Sequence, residues 1–271
     1  MKIVIKVGGA LFAQGIDKLV EDLKEVVKKH QVVIVHGGGP QITDIGTKMG
    51  KEPKYYDTPT GMKTRYTDKD QIDMVKMAIG GLVNKSIVEA MRQAGINAFG
   101  FTGLDGAVIA ADRKDQIMVI DERGKRRVLR GEFSGKVDAA NPEIINILLE
   151  KGYVPVIGSM CASKTGDAVN VDGDRAAVVV AAAINADKYI SLTDVVGIYK
   201  DMETKEVIPK MSEADAELFM QKATGGMKKK IFAAIEALKS GINEFVIYSG
   251  EIDKPITSVL DENKGTIISK K

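Results

Sequence analysis

Cysteine occurs once in these 271 residues, at Cys161, so no disulfide can close within the chain and a reducing compartment is expected. Histidine occurs twice, at His30 and His36. With that one cysteine, the two histidines leave no ligand set for a structural zinc site. Neither sign of charge dominates. Lys and Arg total 39 against 37 Asp and Glu, a net charge of +2, which leaves no electrostatic footprint for nucleic acid. No apolar run reaches the length that spans a membrane. The apolar start stops at Gly8, too early for a signal peptide, so a cytoplasmic location is expected. The G-x-x-x-x-G-K-[ST] phosphate loop is missing, because Asn84-Lys85-Ser86 has no glycine before its lysine. The protein-kinase catalytic set is missing as well. No Ser-His-Asp or Cys-His grouping suggests itself.

Apolar residues make up 44% of the chain, enough for one large α/β domain or two lobes sharing one sheet. Strand-like and helix-like segments alternate, which predicts a mostly parallel sheet covered by helices. Strands are expected at Ile3–Val7, Val32–Val35, Val154–Ile157, Tyr189–Leu192 and Phe245–Tyr248. Helices are expected at Ile16–Lys29, Gln41–Met49, Pro142–Lys151, Ala176–Asn185 and Lys228–Lys239. Asp68 caps a further helical region that runs to Ala94 and is broken near Gly80-Gly81. Lys51 to Tyr66 reads as a loop or hairpin. Val108–Ala111, Ile117–Ile120 and Arg126–Leu129 read as antiparallel hairpins projecting from the main sheet. The boundary between Gly158 and Asp174 is not set by the pattern.

Two glycine turns follow strands directly: Lys6-Val7-Gly8-Gly9 and His36-Gly37-Gly38-Gly39-Pro40. Each joins the carboxyl end of a strand to the amino end of a helix, where unpaired N–H groups favour an anion. Lys6 adds a point charge suited to phosphate oxygens. Together the turns predict a phosphate or carboxylate site; His36 itself reads as structural. Arg65, just before a helix, offers a planar fork for a carboxylate. In Asn170-Val171-Asp172-Gly173-Asp174 the default meaning is a helix cap, with Asp174 alternatively holding two lysines in place. Lys228-Lys229-Lys230 stands at a helix start, where the dipole disfavours cations, and so asks for an anionic partner such as ATP. A carboxylate acceptor is already ionised at neutral pH, with a pKa of about 4.3, and needs no base. Lysines, glycine amides and an organising aspartate therefore fit acyl-phosphate formation better than alcohol phosphorylation.

Lys6-Val-Gly-Gly9, His36-Gly-Gly-Gly39, Arg65 before Thr67-Asp68, Gly81-Leu-Val-Asn-Lys85, Gly103-Leu-Asp-Gly106, Asn170 to Asp174, Asp194-Val-Val-Gly197 and Gly226-Met227 to Lys230 form a joint pattern. Across essentially the whole chain it resembles the amino-acid kinase family. Within that family it is most similar to the N-acetylglutamate kinases and their carrier-protein relatives, the [LysW]-aminoadipate/[LysW]-glutamate kinases. Gly103-Leu-Asp-Gly106, Arg65-Tyr66-Thr67 and Arg130-Gly-Glu-Phe-Ser-Gly135 look like the carrier-dependent type.

The resemblance implies a three-layer αβα sandwich with a mostly parallel central sheet and antiparallel hairpins over the substrate site. Residues 1–170 would form the substrate lobe and 171–271 the nucleotide lobe. Lys6 and Lys230 would stabilise the transferring phosphoryl group, with Asp174 orienting both. Gly8 and Gly38 would donate N–H groups to it. Arg65 and Asn170, with Gly37, Gly38 and Gly39, would hold the amino-acid substrate. Lys6, Gly8, Gly9, Thr193, Asp194, Gly197, Tyr199, Thr224, Met227 and Lys230 would meet ATP. Mg2+ would bridge the ATP phosphates, with no dedicated protein metal ligands. The substrate would be aminoadipate or glutamate joined to a small acidic carrier, for which Lys63, Arg65 and the cluster Arg123, Lys125, Arg126, Arg127 and Arg130 offer a basic docking surface. The other readings are free N-acetylglutamate as substrate and a non-catalytic nucleotide-binding protein on the same fold. The resemblance also implies a homodimer, with the 68–94 helix as its interface.

Overall fold

Runs of β-branched residues set the centre of the molecule. Ile3, Val4 and Ile5, and Val32 to Val35, are at most 1% exposed in the computed structural model. Strands buried on both faces in this way are the mark of a parallel sheet covered by helices. The structure describes residues 1–270 other than 60, 62, 122 and 202. Among the described residues, eleven strands form one sheet. Its main path runs Lys210–Ser212, Thr266–Ser269, Glu244–Ser249, Lys188–Thr193, Lys2–Val7, Gln31–His36, Val154–Ala162, Ile109–Arg113 and Gly135–Ala140. Ala98–Gly103 and Ala168–Asn170 also pair with Val154–Ala162. From Glu244–Ser249 to Val154–Ala162 every pairing is parallel.

Helices cover both faces. Asp17–Val26, Asn84–Gln93 and Pro255–Glu262 bury Leu19, Leu23, Ile87, Met91, Ile256 and Val259 against Ile3, Ile5 and Ile34. On the other face Glu143–Glu150, Gly173–Ala183 and Gly225–Lys239 bury Ile145, Ala177, Val180, Ile231 and Ala234 against Val4, Val33 and Val35. A separate four-stranded antiparallel sheet is made of Lys63–Tyr66, Lys54–Asp57, Gln116–Ile120 and Arg126–Arg130.

The α/β class and the mostly parallel sheet are as expected, and four details differ. The helix opened by Asp68 is not broken at Gly80-Gly81; it widens into a π-helix over Lys76–Val83 and continues to Gln93. Ile109–Arg113 belongs to the main sheet, because Ala110 pairs with Ala162 of Val154–Ala162, and Gly135–Ala140 is added beyond it; Gln116–Ile120 and Arg126–Arg130 project. The undefined stretch after Gly158 is a strand to Ala162 and an antiparallel return, Ala168–Asn170. The last long helix starts at Gly225, so the three lysines lie inside its first turns rather than opening it.

Candidate active site

Parallel register brings the first charged groups together. Lys6 lies opposite Ser191 on the adjacent strand Lys188–Thr193. The strand period of two turns Ile3 and Ile5 to one face and Val4 and Lys6 to the other. That second face is the one covered by the Gly173–Ala183 helix. Asp172 caps this helix, its side chain accepting from the amides of Asp174 at 3.0 Å and Arg175 at 3.3 Å. The cap fixes Asp174 in the first turn, where the helix dipole favours a carboxylate.

Asp174 is the hub. Its Oδ2 lies 3.0 Å from Lys6 Nζ and 3.7 Å from Lys230 Nζ, and Ser191 Oγ donates to its Oδ1 at 3.2 Å. Lys6 and Asp174 are only 7% and 6% exposed. Burial alone would raise the Asp174 carboxyl, but Lys6 and then Lys230 outweigh it and hold it below the usual carboxylate range. Burial would lower the Lys6 ammonium, yet Asp174 and Asp172 hold it above the ordinary lysine value. Lys230 lies lower than ordinary, through burial and the charge of Lys6 beside it. Two ammonium groups converge on one carboxylate oxygen, which sets two cations side by side, with Asp172 and Asp194 as further counter-charges. Of the three adjacent lysines, Lys230 is the one turned to Asp174; Lys229 is exposed and Lys228 half-buried.

The two glycine turns abut. A Cβ on Gly9 would come 2.8 Å from Pro40 Cδ and 3.1 Å from Gly38 Cα, so only glycine fits there. Gln41 Nε2 donates to the Gly9 carbonyl at 3.1 Å and ties one turn to the other. Gly8 caps the short helix Gly9–Gln14, and Gly38 caps Gly39–Lys48, with Pro40 in its first turn. A Cβ on Gly173 would sit 3.6 Å from both Lys6 Cε and Gly37 Cα, which places the second turn, Lys6 and the Asp174 helix around one point.

On one side of that point lies Arg65. Its Nη2 donates to the Gly39 carbonyl at 3.1 Å, Thr43 Oγ1 at 2.8 Å and the Tyr55 hydroxyl at 2.6 Å. Asn170 Nδ2 donates to Thr67 Oγ1 at 3.0 Å, two residues beyond Arg65. On the other side Thr193 Oγ1 donates to Asp194 Oδ1 at 2.8 Å, and the charge of Asp194 reaches Lys230. Gly197 has φ 151°, and a Cβ there would meet Val207 Cγ1 at 2.7 Å and Thr266 Oγ1 at 2.8 Å. Tyr199 bridges Val207. Thr224 is exposed at the cap of Gly225–Lys239, and Met227 packs on the core beneath it. Sequence reasoning passed over Ser191 and gave Glu132 no individual role. Ser191 carries no signal of its own, since sheet register alone sets it against Lys6; Glu132 stands within the Arg130-to-Gly135 motif, which marked the stretch without giving this residue a role.

His36 is 1% exposed and sits at the root of the second turn. Its Nδ1 lies 2.9 Å from the Gly37 carbonyl and its Nε2 3.0 Å from Asn84 Nδ2. A neutral ring with the proton on Nδ1 satisfies both contacts. Burial pulls its pKa from the ordinary 6.5 down to about 4. The unfolded chain therefore takes up this proton first as pH falls. The stabilising term is complete above pH 6.5 and is lost progressively toward pH 4, and the 6.5 and about 4 on which it turns give roughly 3 kcal/mol. Urea unfolding at stepped pH is expected to show this slope, and His36→Gln to flatten it; the same slope in both proteins would clear His36 of the effect.

Three comparisons with known proteins bear on this arrangement. Residues 1–248 match the model of the amino acid kinase family. The [LysW]-aminoadipate/[LysW]-glutamate kinase of Saccharolobus solfataricus is 37% identical over 268 residues, covering 98% of this chain and 99% of that protein. Among solved structures, N-acetylglutamate synthase from Neisseria gonorrhoeae matches all of this chain and 59% of its own, with a TM-score of 0.79 at 20% identity. Carbamate kinase from Giardia lamblia matches 100% of this chain and 98% of its own, with a TM-score of 0.68 at 17% identity. At those identities the two structures speak for the fold alone.

Proposed function

The chain belongs to the amino acid kinase family, and from that premise we propose that it moves the γ-phosphoryl group of ATP to the side-chain carboxylate of 2-aminoadipate or glutamate carried on a small acidic LysW-like protein. The product is an acyl phosphate. Convergence of Lys6 and Lys230 on Asp174 carries this reading, because it supplies two cations, one from each half of the sequence, at one point.

The acceptor is already ionised, so the chain has to position and neutralise rather than remove a proton. Lys6 and Lys230 face the phosphoryl oxygens, and Asp174 keeps the two ammonium groups from separating. Amides of Gly8 and Gly38 add donors, with Gly9 shaping the first turn. Arg65 and Asn170, with Gly37 and Gly39, hold the amino-acid end. Thr193, Asp194, Gly197, Tyr199, Thr224 and Met227 flank the nucleotide. Residues 1–170 thus serve the amino acid and 171–271 the nucleotide. The groups around Asp174 are the Lys6 and Lys230 ammonium groups and the Ser191 hydroxyl, which fits a Mg2+ held mainly by ATP phosphates. Bound there, the ion would neutralise phosphate charge.

Support for a carrier comes from the small antiparallel sheet, where Lys63, Arg123, Lys125, Arg126, Arg127 and Arg130 are all exposed. Support for a homodimer comes from the 69–93 helix, on which Met77 and Leu82 are 45% and 48% exposed. The reaction belongs to lysine biosynthesis, and to arginine biosynthesis where glutamate is the acceptor, in the cytoplasm. Phosphorylation of carrier-linked aminoadipate, carrier-linked glutamate and N-acetylglutamate, measured side by side, tests the reading. A carrier-linked substrate is expected to show the highest kcat/KM, at least about 100-fold above the acetylated one and falling with salt. Faster turnover of N-acetylglutamate would reject the carrier.

A further inference from the structure

Glu132 is charged, 0% exposed and outside every role assigned above. Its Oε1 accepts from the amide of Ser134 at 2.9 Å and from the amide of Thr67 at 3.1 Å. One oxygen therefore joins two distant stretches of chain. The same two stretches are stitched again nearby. The Phe133 amide donates to the Thr67 carbonyl at 2.7 Å, and the Asn170 amide donates to the Phe133 carbonyl at 2.8 Å. Asn170 Nδ2 closes the ring on Thr67 Oγ1 at 3.0 Å. Arg113 braces it from outside: its Nε donates to the Glu132 carbonyl at 2.9 Å and its guanidinium lies 3.7 Å from the Phe133 ring centre.

Thr67 follows the strand that carries Arg65, and Asn170 ends the strand Ala168–Asn170. Segment 132–134 lies between them and bonds to both. Burying a carboxylate is costly, and apolar packing alone would not need one. A two-amide acceptor does what an apolar side chain cannot: it sets the Thr67-to-Ser134 distance, and through Ser134, which bridges Asn170, the distance to that residue.

We propose that Glu132 is a positioning residue that fixes the spacing between Arg65 and Asn170, and so the geometry in which the amino-acid end of the substrate is held. This rests on the assignment of Arg65 and Asn170 to that end. It predicts an effect on one substrate only, since the nucleotide-side residues lie outside this ring.

Steady-state kinetics with carrier-linked glutamate and ATP, for Glu132→Ala, Glu132→Gln and Asn170→Ala, tests it. Glu132→Ala is expected to raise KM for the carrier-linked substrate by about tenfold or more, with KM for ATP within about twofold. Glu132→Gln is expected to recover most of the loss, because an amide oxygen can accept both bonds. Asn170→Ala is expected to raise the same KM. If Asn170→Ala raises it and Glu132→Ala does not, or if Glu132→Ala moves both KM values equally, the positioning role is wrong while the substrate assignment stands. If Asn170→Ala leaves it unchanged, the substrate assignment falls and the positioning role with it. Should Glu132→Ala fail to fold, Glu132→Asp carries the test. One methylene shorter, it cannot span both amides and is expected to raise the same KM; an unchanged value overturns the proposal.

Discussion

Replacing Lys6 or Lys230 with alanine is expected to lower kcat by about 10³-fold while ATP still binds within a few-fold of its original affinity. The size follows from what each ammonium does. Removing one preorganised donor from developing transition-state charge costs about 10²–10³ in rate in other enzymes, and a full positive charge in a buried setting is a stronger donor than an amide. Each lysine lies within 3.7 Å of the same carboxylate oxygen, so neither substitutes for the other by a simple swing. Most of the proposed nucleotide contacts, by contrast, are assigned to other residues. The check is single-turnover phosphorylation beside equilibrium ATP binding. Turnover that survives in either variant would remove that lysine from the chemistry; loss of ATP binding in step with turnover would make it a nucleotide ligand instead.

Asp174→Ala is expected to be the most destabilising single change at this site, by roughly 3–5 kcal/mol at neutral pH, because it strands a buried cation. Lys6 would remain 7% exposed or close to it, with its main counter-charge gone. In the variant, burial is no longer opposed by Asp174 and pushes the Lys6 ammonium below its unfolded value of about 10.4. The unfolded chain then binds the extra proton, so the deficit is largest at neutral pH and shrinks as pH rises toward 10. Chemical denaturation at pH 7 and pH 10 reads this directly. The triple variant Lys6→Met, Asp174→Leu, Lys230→Met removes both cations with their shared acid and is expected to regain much of the stability and none of the turnover. A variant Asp174→Ala as stable as the parent at pH 7 would mean that Lys6 does not depend on this carboxylate.

What could be read in advance follows the physics of each element. Lys2–Val7, Gln31–His36, Lys188–Thr193 and Glu244–Ser249 are legible because a strand buried on both faces must be a run of Ile, Val, Leu and aromatic residues. Asp68 is legible as a cap because an aspartate before an apolar run has one favoured use, and its side chain accepts from the Gln71 amide at 3.0 Å. Ala98–Gly103 escaped notice because Gly100 and Gly103 read as breakers. Their smallness is a packing demand instead: a Cβ on Gly100 would lie 2.3 Å from Asn84 Oδ1. The π-helix was hidden for a related reason, since Gly80-Gly81 has the same local signature whether a helix ends or widens. Lys210–Ser212 and the Glu213–Lys222 helix were passed over despite the Ser212 and Asp215 capping box, a short signal between polar stretches. In the candidate site, the glycine turns and the lysines were visible as residue types at strand and helix ends. The roles of Ser191 and Glu132 were not, because their partners are set by sheet register and by long-range closure.

Arg175 grips Glu236 with two parallel bonds, Nε to Oε2 at 2.8 Å and Nη2 to Oε1 at 2.7 Å. Arg175 is the neighbour of Asp174, and Glu236 lies six residues along the helix from Lys230. The fork yokes the helix bearing the shared acid to the helix bearing the second cation. A displacement of either helix is passed to the other, so the shared acid and the second cation move together.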